Sequence, residues 1–266
     1  MPNNATNAPK QIYYNTGPLY SGAIPKDDIF TTTSEQKFAL GTRYEAADGR
    51  VFRYGKWGAT STNVPLARMV VNANLTPGAT GEPDVDGFEG DPYVAAAIGA
   101  TEVDLEIATA YAENFFEDGM LACYPANHYC EYRIVGSELG NGTYCRVYLE
   151  SPLKTALGVA TSITAYKSIY SQVKDGAAEG VGFTSVVGVC LAPSFTVNYF
   201  GWIQRRGRCI ITPTAYFGDT ADERMAQLHV DGTIALKAAH GTHTIGYLTQ
   251  RTESGYGDLE VWLQLE

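Results

Sequence analysis

The residues that could do chemistry are few, and their spacing suits it badly. His229, His240 and His243 fall within fifteen residues, and His-Gly-Thr-His resembles half of a metal site. An i, i+3 pair converges only on a helix. Gly241, Thr242 and Thr244 disfavour a helix, and in a strand the two imidazoles point to opposite faces. Cys123 and Cys130 flank His128, so a metal clip can be drawn there, but the chain has no CxxC pair. The five cysteines, at 123, 130, 145, 190 and 209, read instead as small buried apolar residues on strands. Asp84, Asp86 and Asp91 loosely follow a calcium loop. The twelve-residue pattern and its closing Glu are missing, so the stretch reads as a solvated loop.

Neither a nucleophile elbow, a Walker A loop, HExxH nor paired dinucleotide-binding glycines occur. Two of the many carboxylates could serve as a glycosidase pair only if the fold set their separation. The expectation is therefore a protein with no catalytic residues, no cofactor and no metal, and not an enzyme. Arg205, Arg206 and Arg208 form the densest basic cluster, directly after Asn-Tyr-Phe-Gly-Trp-Ile-Gln. Single-strand nucleic-acid binders mix aromatic and basic residues in this way. A chain of net charge −10 and pI near 4.9 repels phosphates, so inter-subunit ion pairs or a solvated turn is the better reading, with no direct nucleic-acid contact.

The elements that must position these residues are strands. Of the 266 residues, 45% are apolar and 12% aromatic, with 28 Gly and 18 Tyr, which fits turns and strands better than long helices. The longest apolar stretch, 93–100, is too short to span a membrane. The start, MPNNATNAPK, has no apolar h-region, which predicts synthesis in a reducing cytosol without disulfides. Residues 1–36 read as an extended arm, because Tyr13, Tyr14, Tyr20 and Phe30 are unusual in a free tail. Residues 37–58 read as a β-hairpin on a two-residue Asp48-Gly49 turn, with Arg50 and Arg53 on a wet cationic face. Residues 59–92 read as an acidic, Pro/Gly-rich linker.

Residues 93–266 read as successive short strands of a β-barrel or sandwich-like domain. Val103, Leu105 and Ile107 alternate onto one face, as do Cys145, Val147 and Leu149, and Leu259, Val261, Leu263 and Leu265. Residues 186–192 read as a strand buried on both faces, Arg208–Thr214 as a strand after a Gly turn, Asp231-Gly232 as a hairpin, and 221–229 as one or two helical turns. Residues 1–60, 61–130, 131–200 and 201–266 carry +2, −10, 0 and −2, so the net charge arises in one quarter of the chain. A basic arm and an acidic patch could be complementary between subunits, or the acidic quarter could simply keep a surface soluble.

Two stretches carry a family resemblance. One is LGTRYEAADGRVFRYGKWGA; the other is the series YFGWIQRRGRCIIT, GD, DGT and TIGYLTQ with a final alternating strand. Gly201-Trp202-Ile203-Gln204, Gly207, Gly218-Asp219, Asp231-Gly232 and Gly246 carry the second. Together, over about residues 39–59 and 199–266, they resemble small virion structural proteins of tailed bacteriophages, and the second half resembles capsid decoration (cement) proteins. The resemblance implies a mainly β subunit on the capsid exterior, made in the host cytoplasm, that binds the phage major capsid protein and reinforces the shell. It also implies a homo-oligomer, with a trimer as the expected state. The expected shell or subunit contacts are Tyr13, Tyr14, Tyr20, Phe30, Arg50, Arg53, Trp57, Trp202, Arg205 and Arg206. The alternative is a carbohydrate- or receptor-binding module of a virion fibre or tail, which predicts an exposed aromatic cluster.

Overall fold

The computed structural model describes residues 29–58, 69–71, 87–107, 110–126, 128–175, 185–192, 196–213, 224–228, 233–235, 244–250 and 259–266. Among them the chain is mainly β, in two antiparallel sheets, one of them a curled half-barrel, as the alternation predicts. The strands are β1 (Arg43–Glu45), β2 (Val51–Lys56), β3 (Met69–Val71), β4 (Gly87–Gly90), β5 (Glu102–Glu106), β6 (Met120–Cys123), β7 (Cys130–Ser137) and β8 (Tyr144–Leu149). They continue with β9 (Ile163–Tyr166), β10 (Lys174–Asp175), β11 (Val186–Cys190), β12 (Phe200–Ile211), β13 (Met225–Leu228), β14 (Ile234–Ala235), β15 (Thr244–Gln250) and β16 (Leu259–Gln264).

The described residues fall into two compact units, one drawn from Pro77–Ser168 and the other from Pro18–Thr76 with Ile169–Glu266. The stretch 93–266, expected as one domain, is thus divided after Ser168. The hairpin belongs with the C-terminal strands because β2 pairs along β12.

In the first unit the sheet order is β4-β9-β6-β7-β8-β5. The sheet curls until its edges meet. The chain just past β4 pairs with β5, Tyr93 N–H donating to Asp104 O (2.8 Å) and Glu106 N–H to Asp91 O (3.1 Å). The end of the expected linker is therefore strand, because its backbone groups complete the ladder. Inside lie Val103, Leu105, Ile107, Leu121, Ile134, Cys145, Val147, Leu149 and Ile163, all buried, with Phe116 among them. On the outer face Asp104 and Arg146, direct cross-strand partners, form a bidentate pair (2.6 and 3.0 Å) across β5 and β8. Gly119, just before β6, has no room for a side chain: a Cβ there would stand 2.0 Å from the Tyr166 carbonyl oxygen.

In the second unit the order is β10-β3-β11-β12-β16-β15-β13-β14, with β2 also on β12 and β1 on β2. The twelve-residue β12 pairs with β2, β11 and β16. It runs unbroken through Gly207, so Arg205–Arg208 is mid-strand and not a turn. β11 is buried along its whole length, as expected for 186–192, and Leu259, Val261 and Leu263 all face the core. Ile29 is buried, and Thr33 exchanges backbone hydrogen bonds with Phe200 (2.9 and 2.8 Å), so the described end of the arm is part of this fold.

The hairpin turn differs from the expected two-residue form. Gly49 N–H donates to Ala46 O and Ala46 N–H to Arg50 O, both at 2.9 Å, and Gly49 takes φ 81° while Asp48 stays out of the left-handed region. This is a three-residue loop with a glycine bulge. The Asp48 carboxylate selects it by accepting the Arg50 backbone N–H (3.1 Å). Residues 225–228, inside the segment expected to be helical, are strand, paired with β14 and β15. Asp231-Gly232, Asp84, Asp86, His229, His240 and His243 lie outside the described residues.

Gly119→Ala is expected to cost about 3 kcal/mol, the upper range for forcing atoms into a packed site. Gly158→Ala, whose new Cβ meets nothing nearer than 3.8 Å, should stay within about 0.5 kcal/mol. Urea denaturation of both variants checks this; equal midpoints would contradict the close approach.

Candidate functional surface

The expected contact residues separate into core, clamp and surface. Trp57 and Trp202 are buried, at 0% and 2% exposure, so this fold uses both side chains in its core and does not present them at the surface. Trp202 lies opposite Tyr54 in the β12–β2 ladder and packs with Phe38, Tyr44 and Tyr54 at ring separations of 5.1–5.7 Å. An aromatic at an inward strand position is drawn into that cluster by the area it hides from water. Phe30 is 43% exposed beside buried Ile29. Tyr13, Tyr14 and Tyr20 lie outside the described residues.

The arginines are mostly used within the chain. Arg50 holds Asp48 (2.7 Å) and lies over the Phe52 ring. Arg43, Arg53 and Arg205 converge on Glu266. Arg43 Nε donates to Oε1 (3.1 Å) and Arg53 Nε to Oε2 (3.0 Å), with a second short Arg53 contact, and Arg205 Nε stands 3.6 Å from Oε2. Arg205 also donates to Tyr170 Oη (3.0 Å), Val187 O (3.1 Å) and Leu265 O (2.8 Å), so it clamps β11, the residue after β16 and the 170 segment together. Burial alone would raise the Glu266 carboxyl. The Arg53, Arg205 and Arg43 guanidiniums outweigh it and hold the carboxyl below its ordinary value. Arg208 is tied to Glu260, which also accepts from Thr249 Oγ1 (2.6 Å). Arg206 is exposed. The cationic face expected on the hairpin is thus largely an intramolecular clamp, because β1, β2 and β12 bring Arg43, Arg53 and Arg205 to the one carboxylate that follows β16.

The surfaces open to a partner lie chiefly on the first unit, and sequence reasoning did not single them out. One is aliphatic. Ala96 and Leu157 form an isolated antiparallel bridge (2.9 and 2.8 Å), and Val94 and Val159, two residues from it along the chain, are 49% and 59% exposed. Ile98, in the following turn, is 69% exposed. The other is aromatic. Tyr124 and Tyr129 flank the β6–β7 loop with rings 5.5 Å apart, and Met120 and Tyr166 are exposed cross-strand neighbours on the outer face. Tyr129 Oη donates to Glu131 (3.0 Å), which raises its phenol. Met120 and Tyr166 carried a sequence signal, apolar residues at outward strand positions, whereas Val94, Ile98, Val159, Tyr124 and Tyr129 lie in bends, turns and loops where no alternation marks them.

Among the described residues no group of three or more His, Cys, Asp or Glu side chains could hold a metal, and no helix is long and apolar enough to cross a membrane. No family model, no curated protein and no solved structure matches the chain.

Glu266→Gln tests the clamp. A carboxyl held below its ordinary value of 4.5 contributes stability above that value and loses it as the pH falls through the depressed one. The variant should be less stable by about 1 kcal/mol at pH 7, allowing for solvent screening, and the difference should vanish in stronger acid. Denaturant titrations at the two pH values measure it. Removing residues 1–36 should lower the melting temperature relative to removing 1–28, because Ile29 and Thr33 go with it.

Proposed function

We propose that the chain is a non-enzymatic virion structural protein that binds a phage capsid shell from outside and stabilises it, as a decoration or cement protein. The major capsid protein is its partner, and it associates with itself as a homo-oligomer, a trimer in this reading. The resemblance of residues 39–59 and 199–266 supplies the family. The observation that carries the reading is the exposed aliphatic surface of Val94, Ile98 and Val159. Large aliphatic side chains left in water close along the chain to one bridge fit a protein contact. Aliphatic side chains offer a sugar neither a ring to stack on nor a hydrogen bond, so this surface fits a protein partner better than a glycan.

The alternative, a carbohydrate- or receptor-binding module of a fibre or tail, is favoured by a different observation, the exposed Tyr124–Tyr129 pair with Tyr166. Binding on a glycan array that is lost in Tyr124→Ala and Tyr129→Ala would support that reading over the first.

The test is to add the protein to empty phage shells that lack it and follow their thermal disruption. Wild-type protein should co-sediment with the shells and raise the disruption temperature. Val94→Asp with Val159→Asp should weaken binding at least tenfold while leaving the protein's own melting temperature within a few degrees, since both side chains are already in water. No binding by the wild type, or equal binding by the variant, would contradict the proposal.

A further inference from the structure

Cys123 ends β6 and Cys130 begins β7, and the two are direct cross-strand partners. Opposed residues on antiparallel strands hold their Cα atoms about 4.5–5.5 Å apart, within the roughly 4.4–6.8 Å that a disulfide spans. Opposed side chains also leave the sheet on the same face. Cys130 Sγ accordingly reaches back to within 3.9 Å of the Cys123 carbonyl oxygen. The other cysteines have no such partner: Cys145 lies opposite Leu105, Cys190 opposite Ile203 and Cys209 opposite Val261. In the structure all five are free thiols; Cys123 is buried and Cys130 is partly exposed. Burial and the neighbouring Cys130 push the Cys123 thiol up to about 12, so solvent-borne reagents meet Cys130 first.

We propose that Cys123 and Cys130 are a disulfide clip, open as two thiols and closed by a small-molecule disulfide such as oxidised glutathione. The Cys130 thiolate attacks one glutathione sulfur, the glutathione S–S bond breaks, and one glutathione thiolate leaves. Cys123 gives its proton to that thiolate. Its sulfur then attacks the Cys130 sulfur and displaces the second glutathione, which takes up the proton Cys130 lost. Two protein thiols are oxidised and one glutathione disulfide is reduced to two thiols. The closed ring, residues 123–130, staples the loop whose ends carry Tyr124 and Tyr129.

The test incubates the full chain with oxidised glutathione and reads intact mass, free-thiol count and melting temperature. Expected are a loss of two hydrogens, a drop from five free thiols to three, and a peptide joining residues 123 and 130. The melting temperature should rise by about 5 °C and fall back with dithiothreitol, as constraint of the unfolded chain requires. Cys130→Ser should remain fully reduced. Cys123→Ser should stop with one glutathione on Cys130, and if burial at that site prevents folding, Cys130→Ser alone still decides. Five thiols surviving, a disulfide between other cysteines or between chains, or an internal disulfide with no rise in melting temperature would each overturn the proposal.

Discussion

The second unit depends on one strand. β12 is long enough to serve three partners, pairing with β2, β11 and β16, and without it the hairpin and the C-terminal strands share no sheet. Such a strand must be satisfied on both edges and both faces, since each buried backbone group left unpaired is costly. Its first half is accordingly fully buried, Phe200 to Gln204, and its second half alternates. At the change between them Gln204, itself buried, donates from its amide to the Arg206 and Arg208 carbonyls (3.2 and 2.8 Å). Arg205 ties the neighbouring strands at the same level.

Charge and apolar surface are divided accordingly. The arginines that make the hairpin look like a binding face are spent on Glu266, Asp48 and backbone carbonyls, interactions worth most when partly shielded from water. Among the described residues, exposed apolar side chains are most frequent on the first unit, with Met120, Tyr124, Tyr129, Tyr166, Val94 and Val159, while Ile210, Met225 and Tyr247 are exposed on the second. A curled sheet whose ends are bridged is a suitable mount for such residues, because little order need be lost when a partner docks.

Much of the strand content was legible. Alternation at Val103–Ile107, Cys145–Leu149 and Leu259–Leu263 identified inward faces correctly, because the period of two is a local property. Closure of the barrel was not legible, since it rests on Asp91–Tyr93 meeting Asp104–Glu106 across a segment rich in Pro and Gly. Trp57 and Trp202 were misread for a related reason: an aromatic beside arginines looks like a contact site until the cross-strand neighbours are known. Asp-Gly marked a hairpin correctly but not its loop length, which the Asp48–Arg50 hydrogen bond selects. The exposed aliphatic residues escaped because Val94 and Val159 are distant in sequence and only the Ala96–Leu157 bridge links their segments.

The proposal at stake is docking on a shell through the exposed apolar residues of the first unit. Hydrogen–deuterium exchange of the protein free and shell-bound tests it most directly. The account predicts new protection concentrated in residues 93–100 and 157–160, with β12 already slow in the free protein and unchanged on binding. Protection confined to the hairpin at 43–56 and the β12 arginines, with 93–100 and 157–160 unaltered, would contradict it.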